Sequence, residues 1–250
     1  MKLNRQVAVV TGAGSGIGAA TAKTLAAAKL DGVVVADING AAAEEIAATI
    51  RDQYGCKALG VTTDVGDPAQ VEALIETTVR ELDRVDILVN NAGICPVIAW
   101  DDTTLDDWHH ILNVNLTGAY VATRAALPHM RRQKYGRIVY ISSVGAFQGS
   151  VVAHVAYGVS KSGMIALMKS VAKEFAKDGI TANAIAPGTI NTPLTDSFGE
   201  RQKQRFIEVS PMKRQAEASE IGDAVLYLVS DRSTYVTGAT LHVNGGSLLV

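Results

Sequence analysis

The chain has 250 residues, 48% of them hydrophobic and 19% charged, with a formal net charge of −2. This balance is that of a globular protein and excludes a disordered chain, and the near-neutral charge argues against a nucleic-acid backbone or an anionic membrane as the main partner. No apolar run approaches the ~20 residues needed to cross a bilayer. Cys56 and Cys95 form neither a CxxC pair nor a zinc pattern. They are expected as free buried thiols in a reducing compartment, which excludes a disulfide-stapled secreted scaffold. The start, MKLNRQVAVV, runs straight into a glycine loop, so no signal peptide is expected and the expected location is cytoplasmic.

Short β-branched runs then alternate with alanine-rich, helix-period segments. Val7 to Val10 reads as a buried strand, Ala19 to Ala28 as a helix, Val33 to Ala36 as a strand and Ala41 to Tyr54 as a helix. Ala58 to Thr62 is a third strand, Pro68 to Leu82 its helix, and Ile87 to Val89 a fourth strand. One long helix is expected from about Leu105 to Arg132, then a strand from Arg137 to Ile141 and a helix from about Tyr157 to Lys177. A strand from Thr181 to Ile185, a helix near Glu217 to Val229 and a strand near Thr240 to Val243 complete the series. Continuous apolar strands imply a sheet covered on both faces, and strict βα alternation implies a Rossmann-type, doubly wound α/β fold with about seven parallel strands. Length alone permits one domain or two. With no Pro-, Ser- or charge-rich linker, a single dinucleotide-binding domain over 1–250 is the better reading. Pro187 to Pro211 is the least regular stretch, and a substrate loop is expected near 188–211.

Thr11 to Gly18 reads TGAGSGIG between the first strand and the first helix. Glycines at 12, 16 and 18 let the backbone turn sharply and approach a ligand closely. The N–H groups at the helix start then face a pyrophosphate, with Gly12, Ser15, Gly16, Ile17 and Gly18 as candidate contacts. About twenty residues on, the second strand ends in Asp37, where an acid accepts from an adenosine ribose and repels a 2′-phosphate. Ser15 offers no positive charge to such a phosphate, so NAD is expected over NADP. Asp64 and Val65 follow the third strand. Asp64 is placed to touch an adenine, to cap the helix that has Pro68 just inside it, or both.

Tyr157 and Lys161 stand four apart in YGVSK, one helical turn apart on one face. An ammonium beside a phenol stabilises the phenolate and is expected to lower the tyrosine pKa. Together with TGxxxGxG far upstream and NNAG at 90–93 between them, this makes the chain resemble the short-chain dehydrogenase/reductase family over essentially its whole length. The resemblance implies that Asn91, Ala92 and Gly93, with Asn90, steady the sheet and border the cofactor. It implies that Asn115, in NVNLTG, holds a water in a proton relay, and that Pro187, Gly188, Ile190 and Thr192 hold the nicotinamide amide. In ISSVGAFQG the second serine, Ser143, is the expected substrate-orienting residue, with Ser142 still open. Fourteen positions separate Ser143 from Tyr157, one more than the family's usual spacing, and the extra residue is expected to bulge the loop near Gly149 to His154.

The implied activity is NAD(H)-dependent interconversion of a secondary alcohol and a ketone. Tyr157 is the expected general acid/base, Ser143 binds the substrate oxygen, Lys161 assists, and Asn115 is the fourth catalytic residue. Alternatives are a 3-oxoacyl-(acyl-carrier-protein) reductase and, more remotely, a dinucleotide sensor without turnover. Ile94, Cys95, Val144 and Gln148 are expected to face a small-molecule substrate. Arg201, Lys203 and Arg205 form a basic stretch, read as a solvated face or as a contact for an anionic substrate or carrier. His154 is read as a surface or loop residue, with substrate contact as the other reading. The five histidines show no metal-ligand arrangement, so no metal is expected. Family resemblance also implies a homotetramer.

Overall fold

Each main strand is a short β-branched run, and each helix has one apolar face to lay over it. The computed structural model describes residue 3 and residues 5–149, 153–196 and 198–250. In chain order the elements are β1 (Val7–Thr11), α1 (Gly16–Ala27), β2 (Gly32–Asp37), α2 (Gly40–Tyr54), β3 (Lys57–Thr62), α3 (Pro68–Leu82) and β4 (Ile87–Asn90). Then come α4 (Leu105–Leu112), a π-helical turn (Asn113–Thr117), α5 (Gly118–Gln133), β5 (Gly136–Ile141), α6 (Gly145–Gln148), α7 (Val155–Phe175) and β6 (Ile180–Pro187). The last are β7 (Ile190–Asn191), α8 (Pro193–Asp196), α9 (Glu200–Val209), β8 (Ala216–Glu217), α10 (Ala218–Val229) and β9 (Thr240–Val243).

Seven strands form one sheet in the order β3-β2-β1-β4-β5-β6-β9, and every neighbouring pair is parallel. This is the expected Rossmann-type α/β fold. Alternate residues of each strand serve opposite faces. Ala8, Val10, Val33 and Val35 enter the core under α1, α2 and α10, whereas Val7, Val9, Val34 and Ala36 enter the core under α3, α5 and α7. Burying a valine fully is worth about 1.5–3 kcal/mol, so a strand such as β1, buried along its length, is held from both sides. The order of strands reverses between β1 and β4, and ligands of open α/β sheets bind at the carboxyl ends of strands at such a switch point.

One local expectation is refined and one is corrected. The helix expected from Leu105 to Arg132 runs on without a break, but it passes through the π turn that contains Asn115. Asn115 lies buried there, hydrogen-bonded to the loop after β4 instead of continuing a regular apolar stripe. The stretch 187–211 is more regular than its composition implies. It contains α8 and α9, and β7 pairs in parallel with β8. Those elements are too short, or too exposed, for hydrophobic periodicity to reveal them.

Candidate active site

Thr11, at the end of β1, joins the glycine loop to the NNAG segment. Its hydroxyl accepts from the backbone N–H groups of Asn91 and Ala92, both at 3.1 Å, and donates to the Val89 carbonyl at 3.3 Å. The Asn91 amide donates to the carbonyls of Thr11 at 2.9 Å and Gly12 at 3.0 Å. Gly12 has φ of +62°, and a Cβ there would lie 2.7 Å from Ala92 Cα. A Cβ on Gly18 would run into the Gly12 carbonyl. Glycine is therefore required at both positions, by backbone conformation at one and by close approach at the other. The Asn91 side chain thus holds the glycine loop in place, and Ile17 packs its side chain into the core.

At the start of α1, Ser15 makes no side-chain cap and the first turn has no acid. The first N–H groups of the helix therefore face the crevice unneutralised, which suits an anion. Asp37 closes over this loop. Its Oδ2 accepts from Gly14 N–H and its Oδ1 from Asn39 N–H, both at 2.9 Å. The next side chain is Ile38, which is 69% exposed and carries no charge. Asp64 does not cap α3, correcting one of its two readings. The cap is Asp67, which accepts from Ala69 and Gln70 N–H with Pro68 at the first helical position, while Asp64 turns the loop by accepting from Gly66 N–H at 2.8 Å. Val65 packs against the start of α5 at Gly118.

On the other side of the switch point, Gly93 lies over the buried polar floor. A Cβ there would be 3.2 Å from Asn115 Oδ1 and 3.3 Å from Lys161 Nζ. Lys161 is 4% exposed and donates to the Ile141 carbonyl at 2.8 Å. Its ammonium lies 5.8 Å from the centre of the Tyr157 ring. Position 145 sits beside both remaining members, 3.4 Å from Ser143 Oγ and 3.5 Å from Tyr157 Cε1 measured from a Cβ placed there. Ser143 and Tyr157 are therefore neighbours across position 145. Ser142 faces away, donating to the Lys161 carbonyl at 2.8 Å, so Ser143 is the serine on the tyrosine side. Burial pushes the Tyr157 phenol well above its usual value, Cys95 adds to the rise, and Ser143 opposes it. The lowering expected from Lys161 is absent because the same burial pulls Lys161 itself down to about 8 and weakens its hold on a proton.

Asn115 is placed at this site. Its Oδ1 accepts from Ile94 N–H at 2.8 Å, and its Nδ2 donates to the Ile94 carbonyl at 2.9 Å and to Ser160 Oγ at 3.1 Å. The side chain therefore fixes the loop after β4. At the lid, Pro187 accepts from Val144 N–H, and Gly188 N–H donates to Val243. Thr192 is buried, its hydroxyl donates to the Ile190 carbonyl at 3.4 Å, and its side chain packs 3.4 Å from a Cβ placed on Gly16. The segment after β6 thus reaches back to the glycine loop.

Of the expected substrate-facing positions, Cys95 is buried, with its thiol pushed up to about 12 by desolvation, while Gln148 is exposed. Both cysteines are free and buried. The basic stretch is partly neutralised, since Lys203 pairs with Asp196 at 2.7 Å and Glu200 at 3.2 Å. His154 is corrected from a surface or loop residue to a fully buried helix cap. The expected bulge centres on residues 150–152, outside the described residues. Sequence reasoning missed the hub role of Thr11 and the bridging role of Ser160. Both lie inside the quoted motifs, but spacing alone gives them no partner.

An uncapped helix start, an acid at the end of β2, and half-buried Tyr157 and Ser143 grouped with buried Lys161 at one switch point fit a nicotinamide dinucleotide and define an oxidoreductase of that class. A family model described as Enoyl-(Acyl carrier protein) reductase matches residues 12–247. The chain belongs to the short-chain dehydrogenase/reductase family. It is 40% identical over 246 residues to a 3-oxoacyl-(acyl-carrier-protein) reductase of Aquifex aeolicus, covering 98% of each chain. It is 38% identical over 252 residues to the enzyme of the same name from Escherichia coli, covering 100% of each. It is also 36% identical over 252 residues to a Thauera aromatica subunit named (2S)-((R)-hydroxy(phenyl)methyl)succinyl-CoA dehydrogenase, covering 100% of this chain and 99% of that one. No helix among the described residues is long and apolar enough to cross a membrane.

Proposed function

We propose that the chain is an NAD(H)-dependent oxidoreductase that interconverts a secondary alcohol and a ketone within a single domain over 1–250. The observation that carries this reading is the grouping of Tyr157 with Ser143 and buried Lys161: a Cβ at position 145 would lie 3.4 Å from Ser143 Oγ and 3.5 Å from Tyr157 Cε1, and Lys161 Nζ lies 5.8 Å from the Tyr157 ring centre. The N–H groups of Ser15, Gly16, Ile17 and Gly18 would hold the pyrophosphate, and Asp37 the adenosine ribose. Asp64 and Val65 would border the adenine. Gly93, Tyr157 and Lys161, with Pro187, Gly188, Ile190 and Thr192, would surround the nicotinamide end. When bound, the dinucleotide supplies two-electron hydride exchange with the carbinol carbon.

In the oxidising direction Tyr157 takes the substrate hydroxyl proton, and in the reducing direction it returns that proton to the carbonyl oxygen. Ser143 hydrogen-bonds the same oxygen. Lys161, 5.8 Å from the Tyr157 ring centre, would hold the nicotinamide ribose hydroxyls and favour the phenolate only while it keeps its proton. Asn115 acts by fixing the Ile94 loop, which walls the crevice. Asp37, with no cation at Ile38, supports NAD over NADP: a 2′-phosphate there would meet a carboxylate and an apolar side chain. Steady-state rates with NAD(H) and NADP(H) test this, and a preference for NADP(H) overturns it.

A second reading, reduction of a 3-oxoacyl group on a carrier thioester, is favoured by the printed names of the Aquifex and Escherichia relatives. It shares the residues and the proton route of the first. Comparing acetoacetyl-CoA with simple ketones and secondary alcohols, each with NADH and NADPH or their oxidised forms, separates the two. The first reading expects simple alcohols or ketones to turn over with NAD(H). A strong preference for the thioester establishes the second. We also propose a cytoplasmic homotetramer, tested by light scattering.

A further inference from the structure

Tyr157 sits inside a closed hydrogen-bond circuit. Asn115 holds Ile94 by two backbone bonds. Two residues further along that loop, the Pro96 carbonyl accepts from His154 N–H at 2.9 Å. The His154 carbonyl in turn accepts from Tyr157 N–H at 2.9 Å. The Tyr157 carbonyl accepts from the Ser160 hydroxyl at 2.7 Å, and Ser160 Oγ accepts from Asn115 Nδ2 at 3.1 Å, which closes the ring. His154, Ser160 and Asn115 are all fully buried, so water does not compete for these bonds.

His154 does more than pass the chain through. Its Nδ1 accepts from Ala156 N–H at 3.0 Å and caps α7 one residue before Tyr157. The first turn of α7 has no acid to share this role. The Nδ1 that accepts this N–H is an acceptor and carries no proton of its own. Nε2 is buried with no hydrogen-bond partner among the described residues. A buried polar atom without a partner is costly, so the ring is held in place by the cap at Nδ1 and by its packing.

We propose that His154 and Ser160 are positioning residues for the proton-transfer step: they lock the backbone on both sides of Tyr157 to the Ile94–Pro96 loop and set the phenol at its working distance from the substrate oxygen. This rests on the reading of Tyr157 as the general acid/base. Neither residue touches the reacting atoms; both act through the placement of Tyr157. A misplacement of about 1 Å can cost about 10²-fold in rate, so such a frame has a measurable function.

The test uses the full-length protein, NADH-linked reduction of acetoacetyl-CoA or the best ketone of the panel, and NADH binding by fluorescence. His154→Leu keeps bulk but removes the cap acceptor, His154→Asn restores one, and Ser160→Ala opens the ring. We expect His154→Leu to lower kcat about tenfold with KM and NADH affinity changed less than about threefold, and His154→Asn to recover most of the loss. Ser160→Ala lowers kcat by a similar route, and the double variant His154→Leu/Ser160→Ala loses less than the product of the two, because both break one ring. Amide exchange at Ala156 accelerates in His154→Leu and slows again in His154→Asn, a readout that needs no turnover. Wild-type kcat in His154→Leu, a change confined to KM, or strictly multiplicative losses overturn the proposal. Tyr157→Phe, run alongside, separates the two claims. Full activity in that variant overturns the general acid/base reading and this inference with it, whereas an inactive Tyr157→Phe beside unaffected His154 and Ser160 variants overturns this inference alone.

Discussion

The glycine-loop side and the lid side of the crevice are built on opposite principles. Between β1 and β4, polar groups are matched inside the fold: Thr11 and Asn91 bond backbone to backbone, and Gly12 and Gly18 sit where any side chain would collide. Between β6 and α10, the chain is held by two-residue strands, short helices and exposed ion pairs such as Arg214 with Glu220 at 2.6 Å. Exposed pairs of this kind are worth little. The first region can hardly change without losing its ligand. The second, beyond Thr192, has more exposed side chains and more room to vary them, which would let one cofactor site serve different substrates.

The strongest challenge to this contrast is at the proton-transfer site between the two regions. Tyr157→Phe should lower turnover by about 10²–10⁴-fold while NADH affinity by fluorescence stays within about threefold. Loss of binding together with turnover would show that the two regions are not separable.

The next largest effect compares a glycine in each region. Gly18→Ala forces a Cβ against the Gly12 carbonyl and the Asn91 amide, which should cost about 1–3 kcal/mol or more and weaken NADH binding accordingly. Gly199 has φ of +74° and nothing within 4 Å of a Cβ placed there. Gly199→Ala should therefore cost only about 1–2 kcal/mol of backbone strain, seen in the unfolding midpoint, with NADH affinity unchanged. Equal effects on NADH binding would contradict the contrast.

Asp37→Ala is expected to weaken NAD binding by about 1.5–3 kcal/mol, tenfold or more, through the lost ribose hydrogen bonds. Adding Ile38→Arg should then bring NADP in. Calorimetric titration with both dinucleotides checks this, and an unchanged preference would remove Asp37 as the discriminator.

The smallest effect concerns pH. Lys161 titrates at about 8 in the folded protein against an ordinary value of 10.5. Between those values the unfolded chain holds a proton that the folded one does not, so this residue's contribution to stability rises with pH across pH 8 to 10. Tyr157, pushed above 10, acts in the opposite direction only at higher pH. The melting temperature of wild type relative to Lys161→Met should therefore climb from pH 8 to 10, and a flat or falling difference would show that Lys161 is not desolvated.

Much of this was legible in the residues. β-branched runs placed all seven main strands, and Pro68 to Leu82 coincides with α3, because Pro at the first position and an apolar stripe are both local signals. The glycine loop, Asp37 and the Tyr157–Lys161 spacing are likewise read along a single segment. Of the two readings open for Asp64, the cap falls instead to Asp67, since both are acids ahead of Pro68 and only the backbone decides between them. The π turn at Asn115 is hidden because an asparagine in a helical pattern reveals its partner, Ile94, only when the chain is folded.

The sequence by itself determined the α/β alternation, the dinucleotide loop and the residue types of the proton-transfer group, because each depends on near neighbours or on the fixed period of a helix or strand. Only the tertiary structure decided that Ser143 and not Ser142 faces Tyr157, that burial raises the phenol and lowers Lys161, and that His154 is an interior cap. Each of these depends on desolvation or on a hydrogen-bond partner distant in the chain, and neither is defined until the sheet has assembled.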